Sequence, residues 1–299
     1  MDTNEARKII TYVVENTKWR WKQFDVSWQD IDHVFVERGF EQQGFHMAKF
    51  VPLLEERGIF AIESIGSILS KAPVQSKKYV RDYAGCKEAP FYMELKNGER
   101  GAEGERFYDA VSVFLNNRIG SKGRFFWRML WFALVSCHYL QTNFDGSFAR
   151  FLLTDYARFC GKDQVSNDEF LSMGSERWEE FLENRKPWKR LLGIGDSVFD
   201  YIVGDVKEAS FFKNSYKFDS ANQHFFKVTG ISKLIEPFDR SGTIQFLNRI
   251  EIPFALREIN KGIYTYCSAS DYESNDFGFC RSLSKCQECG VTELCRKLI

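Results

Sequence analysis

Apolar side chains recur at three- and four-residue steps along most of the chain, and no two-residue alternation competes with them, so the pattern predicts helices rather than sheet. Over residues 3–17, Ala6, Ile9, Ile10, Val13 and Val14 share one face and make an amphipathic first helix. Between residues 27 and 69 the same step runs through Trp28, Ile31 and Phe35, then Phe50, Leu53 and Leu54, then Ile65, Ile68 and Leu69, which predicts short helices joined at glycines. Further helices are drawn over 106–117, the apolar run from residue 125, 147–159, 178–184, 197–206, 223–228 and 243–248. The polar, glycine-rich stretch 97–105 (NGERGAEGE) reads as a linker. It divides a helical N-terminal region, 1–105, from a helical body, 106–266, and a terminal loop, 267–299.

Composition narrows this picture. The 299 residues are 44% hydrophobic and 27% charged, which excludes disorder, and 29 Phe with only 6 Pro suit thick helical cores. Forty-one basic residues balance 41 acidic ones, so a nucleic-acid contact would need a local basic patch, and Arg118, Lys122, Arg124 and Arg128 form one concentration. The first twenty residues are charged throughout and lack the apolar core of a signal peptide; the run 125–140 is interrupted by Arg128 and His138 and is too short to span a bilayer. A cytoplasmic protein with no membrane partner is expected. In that reducing compartment clustered cysteines point to metal rather than disulfides.

Eight cysteines are present, and Cys280, Cys286, Cys289 and Cys295 follow C-x5-C-x2-C-x5-C. Four thiolates so close in sequence can converge on a [4Fe–4S] cluster or on a tetrahedral zinc. One C-x2-C flanked by single cysteines departs from the paired knuckles of zinc ribbons and favours iron–sulfur, with zinc or free thiols as alternatives. Cys267 competes with Cys280 for the first ligand position, and spacing favours Cys280. Cys86, Cys137 and Cys160 are scattered and read as small buried hydrophobes.

Upstream, residues 191–206 (LLGIGDSVFDYIVGDV) carry a Gly-Ile-Gly turn, Gly193, Ile194 and Gly195, ahead of an apolar helix. Such a turn can hold a phosphate, directly or through an ion, at a helix N-terminus, although a glycine turn between helices is commonly a plain connection. Taken in order, LLGIG, then NQHFFKVTGI over 222–231, then the terminal cysteines, the chain from about residue 107 resembles the helix-hairpin-helix DNA glycosylase superfamily, in its endonuclease III and adenine-glycosylase branch. That branch ends in an iron–sulfur loop of spacing C-x6-C-x2-C-x5-C, one residue longer in its first step than here.

The resemblance implies an all-α, two-lobed fold, duplex DNA as partner, and flipping and excision of a base. It places the hairpin (Gly193, Ile194, Gly195) on the backbone, with Arg281 and Lys285 in the cluster loop beside it and Gln141 filling the gap left by the base. It also exposes departures. The family's Schiff-base lysine falls on Ser197 and its catalytic aspartate on Asn222; Asp219, three residues earlier, is the substitute acid if it caps the following helix, and lies in the preceding loop if Asn222 is the cap. Asp196 sets a negative charge directly after the turn, and Phe199 stands where the family keeps a small residue. His224 reads as a packed or solvent-facing histidine rather than a ligand. Three readings remain open: an N-glycosylase without the lyase lysine, a DNA-binding or structural subunit that has lost excision, and a zinc-bearing module binding a protein through its hairpin. Residues 1–105, with their aromatic patches at 19–24 and 50–60, are either a partner-binding module or part of the same core.

Overall fold

The computed structural model describes residues 1–18, 26–41, 62–63, 66, 135–267 and 278–298. Among them every regular element is helical, and no β-strand occurs. The linker at 97–105, the helix drawn over 106–117, the basic group at Arg118, Lys122, Arg124 and Arg128, both N-terminal aromatic patches and Cys86 lie outside the described residues, as does the boundary placed near residue 105.

By compactness the chain divides into two units, one made of Met1–Asp25 with Val203–Ile299 and the other of Val26–Ile202. The first unit is thus discontinuous in sequence. It begins with α1 (Thr3–Thr17), whose capping box is complete: the Asp2 carboxylate accepts from the Glu5 amide at 2.8 Å, and Glu5 accepts in return from the Asp2 amide at 2.7 Å. The face predicted from the spacing, Ala6, Ile9, Ile10, Val13 and Val14, is buried. From the far end of the chain, α7 (Ser220–Thr229), α8 (Arg240–Arg249) and α9 (Leu256–Cys267) share one core with it; the short α10 (Leu283–Glu288) belongs to the same unit and buries no residue.

α9 was not among the helices expected from the pattern, yet it is the helix on which α1 packs most extensively. Leu256, Ile259, Ile263 and Tyr266 form its buried stripe. Gly262 lets it approach α1, because a Cβ there would stand 3.0 Å from both Cα and Cγ2 of Val14. The polar groups this unit buries are linked to one another. Arg257 reaches Asp205 at 3.1 Å and Asn260 at 2.7 Å; Lys261 reaches Asp205 at 2.8 Å; and Asn260 donates to the Lys217 carbonyl at 2.8 Å.

The second unit contains α2 (Ile31–Glu41), helical residues 135–144, α3 (Phe148–Phe159), α4 (Asn167–Leu171), α5 (Ser175–Arg185) and α6 (Asp196–Val203), whose last residue falls on the unit boundary. Its core is aromatic, as the Phe content predicts. Phe35 stacks on Phe148 at 4.7 Å, Phe148 on Phe151 at 5.9 Å, and Phe170 meets Trp178 edge-on at 6.2 Å. Phe199 belongs to this core, between Trp178, Trp188 and Phe148. The bulk that departs from the family's pattern is therefore a packing residue. The buried Asp155 carboxylate is held by both Arg185 and Arg190, so its charge is compensated twice.

Candidate functional site

Three segments singled out in the sequence can be placed: the hairpin, the segment around residues 219–224, and the cysteine loop.

In the hairpin, a 3₁₀ turn over Pro187–Arg190 leads to Leu191–Gly195 and then to α6. Gly193 has φ +82°, which a side chain would resist, and the Ile194 amide closes the turn on the Leu191 carbonyl at 3.1 Å. Gly195 is different: a Cβ built there meets nothing within 4 Å, and the residue is exposed at the start of α6. Among the described residues no contact accounts for glycine at this position. The carboxylate of Asp196 turns back and accepts from the Ser197 amide at 2.7 Å, so one of the amides a phosphate could use is already bound to an anion. Ser197 itself is half-buried and Gln141 is a half-buried residue of the helix 135–144, its Oε1 beside Gly66.

Asp219 is the N-cap of α7, the first of the two arrangements the sequence left open. Its Oδ1 accepts from the Asn222 amide at 2.9 Å and from Asn222 Nδ2 at 3.0 Å. Asn222 is fully buried, and its Oδ1 accepts from the Tyr216 hydroxyl at 2.8 Å. Both ends of that amide are thus engaged in holding the helix start. Asp219 Oδ2 is enclosed without a hydrogen-bond donor and has the Lys217 ammonium at 3.6 Å. Burial, reinforced by the Asp219 charge, pushes the Tyr216 phenol well above its ordinary pKa, so it remains a donor. His224 donates from Nε2 to the Cys280 carbonyl at 2.7 Å and so ties α7 to the cysteine loop.

The cysteine loop lies wholly within the first unit. Cys280, Cys286, Cys289 and Cys295 all line one cavity with about 360 Å³ of empty space, part of it open to solvent. Ile9 and Val13 of α1, Phe225 and Val228 of α7, and Tyr266 of α9 supply its apolar wall. Cys280, at 7% exposure, is packed into the core, and Cys267 sits behind it rather than on the cavity. The loop is fastened at several points: the Gly278 amide to the Tyr266 carbonyl at 3.0 Å, Arg281 Nε to the Cys267 carbonyl at 2.8 Å, and the Gly290 amide to the Tyr12 hydroxyl at 3.1 Å. The segment past Cys295 zips onto α7, with the Arg296 and Leu298 amides on the Thr229 and Val228 carbonyls at 3.1 and 2.9 Å.

Two donors reach the sulfurs themselves, the Tyr266 hydroxyl to Cys289 Sγ at 3.0 Å and the Lys297 amide to Cys295 Sγ at 3.4 Å. The hydrogen bond from Cys267, with burial and nearby thiols, pushes the Cys280 thiol far up, and burial raises Cys286 and Cys295. As thiols they stay protonated, and binding a cation would release their protons. Among the described residues no three or more His, Cys, Asp or Glu side chains stand close enough to grip a single ion.

No family model, curated protein or solved structure matches the chain.

The remaining DNA-contact candidates are placed as follows. Arg281 is half-buried and committed through Nε to the Cys267 carbonyl, while the Lys285 ammonium lies 5.5 Å over the Phe279 ring. Sequence reasoning missed Tyr266 and Tyr12, whose hydroxyls serve the cysteine loop. The available signal was the apolar stripe of α9, which leads to Tyr266 by steps of three and four from Leu256.

Proposed function

We propose that this chain is a duplex-DNA-binding protein with a two-lobed, helix-hairpin-helix glycosylase-like architecture and a [4Fe–4S] cluster on Cys280, Cys286, Cys289 and Cys295. The observation that carries this reading is the convergence of all four cysteines on one apolar-walled cavity with hydrogen-bond donors at two of the sulfurs. A zinc ion needs four sulfurs about 2.3 Å from a single point, whereas a cubane takes one thiolate at each corner and keeps its ligands apart. Four cysteines around one cavity supply the four thiolates that a cubane takes. Such a cluster supplies a rigid, redox-capable cross-link among four points of the loop. The chain's own residues exclude water from it through Ile9, Val13, Phe225 and Val228. Intracellular location follows from this reading.

For DNA the supporting feature is Gly195, whose glycine no contact among the described residues requires and whose open space there suits the approach of a phosphate backbone to α6. Asp196 opposes that approach, both by charge and by occupying the Ser197 amide. Asp196→Asn is expected to tighten duplex binding about three- to tenfold at low salt, in line with the loss of one repulsive charge at a phosphate, and the gain should shrink as salt rises. Fluorescence anisotropy on a labelled duplex reads both. Absence of duplex binding by the wild-type chain across that salt range would sink the DNA reading, and a colourless preparation loaded with zinc would sink the cluster.

A second reading, base excision, is favoured by Asp219. It caps α7 and keeps one enclosed carboxylate oxygen without a hydrogen-bond donor. A carboxylate there would stabilise positive charge developing on a sugar as its base departs. Asn222, neutral, buried and bonded at both ends, is left with a structural role. With serine at residue 197, this excision would proceed without an amine at that position, and strands would break only after alkali.

A further inference from the structure

The geometry points to Tyr266 as a positioning residue for the cluster, one whose hydroxyl hydrogen bond to Cys289 raises the cluster's reduction potential. The inference rests on the cluster reading above. It starts from an unusual placement: a buried phenol, 2% exposed, whose Oη lies 3.0 Å from Cys289 Sγ with the hydroxyl donating to sulfur. Phenols of α-helices commonly find a carbonyl or water; this one finds a candidate ligand.

The ring is held on both sides. It stacks on Phe279 with centroids 4.6 Å apart and planes 14° from parallel, and Tyr12 meets it edge-on at 6.3 Å. The Tyr12 hydroxyl accepts from the amide of Gly290, the residue after Cys289, at 3.1 Å. Glycine at residue 290 lets that hydroxyl come close, since a Cβ there would fall 2.6 Å from it and displace it. Two tyrosines from α1 and α9 therefore fix the Cys289–Gly290 segment, and only Tyr266 touches sulfur among the two in the hydrogen bonds described.

A hydrogen bond to a cluster thiolate withdraws electron density from the sulfur. The reduced cluster carries one more negative charge than the oxidised one, so the bond stabilises the reduced form more. Removing the hydroxyl makes reduction harder. The potential must then move in the negative direction, whichever pair of oxidation states is sampled.

The test uses the full chain, reconstituted with iron and sulfide. Tyr266→Phe keeps the ring for Phe279 and Tyr12 and deletes only the donor. Protein-film voltammetry should give a more negative potential for the variant, with cluster content and helix content unchanged. A merely space-filling tyrosine predicts an unmoved potential, and that result overturns the inference while leaving the brown cluster, and so the cluster reading, intact. A chain that loads only zinc overturns both. If Tyr266→Phe does not fold, uniform replacement of tyrosine by 3-fluorotyrosine keeps the ring and strengthens the donor. The potential should then rise, and no change would overturn the assignment.

Discussion

Asp219 performs two tasks that can be separated. As an N-cap it satisfies the Asn222 amide, and as an anion it faces Lys217. Asparagine caps a helix about as well as aspartate, so Asp219→Asn should unfold close to wild type, whereas Asp219→Ala should lose about 1 kcal/mol in denaturant titration. Any base release measured on damaged or mismatched duplexes should vanish in both. Activity that survives Asp219→Asn would remove this residue from the chemistry and leave it a cap. Residue identity alone allowed Asp219 or Asn222 to start the helix. The structure starts it at Asp219 and pairs Asn222 with the Tyr216 hydroxyl, six residues upstream, a contact that no local spacing announces.

Helices were legible where local signals agreed. In α1 the capping box at Asp2 and Glu5 and the stripe from Ala6 to Val14 mark the same element, and the structure begins and buries it there. In α9 they conflict. Pro253 precedes it and Gly262 interrupts it, both ordinarily signs of a turn, and the neighbour that fits against the glycine, Val14, lies about 250 residues away in sequence. That close approach makes a strong expectation. Gly262→Ala improves helix propensity by roughly 1 kcal/mol but forces a methyl onto the Val14 backbone, so overpacking of about 1–3 kcal/mol should win and lower the melting temperature. A rise would mean that α1 can shift to make room. The cysteine loop lies between these cases. That its four cysteines cluster was readable from spacing, but its fastening by Tyr12, Tyr266 and His224 was not, because each comes from another helix.

At the scale of the molecule, the core of the first unit and the candidate cluster share walls. Ile9, Val13, Phe225 and Val228 belong both to the apolar core and to the cavity lined by the four cysteines. Stripping the metal should therefore loosen that whole unit and not only the loop. Chelation of the reconstituted chain is expected to lower its melting temperature and to speed amide exchange in α1, α7 and α9, with the segments of the second unit changing less. Equal loosening of α3 and α5 would show that the two units respond as one.

The split of the first unit across the sequence also sets an order of events during synthesis. α1 emerges first, with five apolar side chains on one face and no helix yet made to receive them. Its partners α7 and α9 and the cysteines follow only after the entire second unit, a wait of roughly ten to fifty seconds at ordinary translation speeds. Over that interval the nascent chain carries an uncovered amphipathic helix beside a unit free to collapse on its own aromatic core. A ribosome-bound helper that shields α1, or an apolar face mild enough to wait unaided, suits this order of synthesis, and any metal the four cysteines take up can be delivered only at the close.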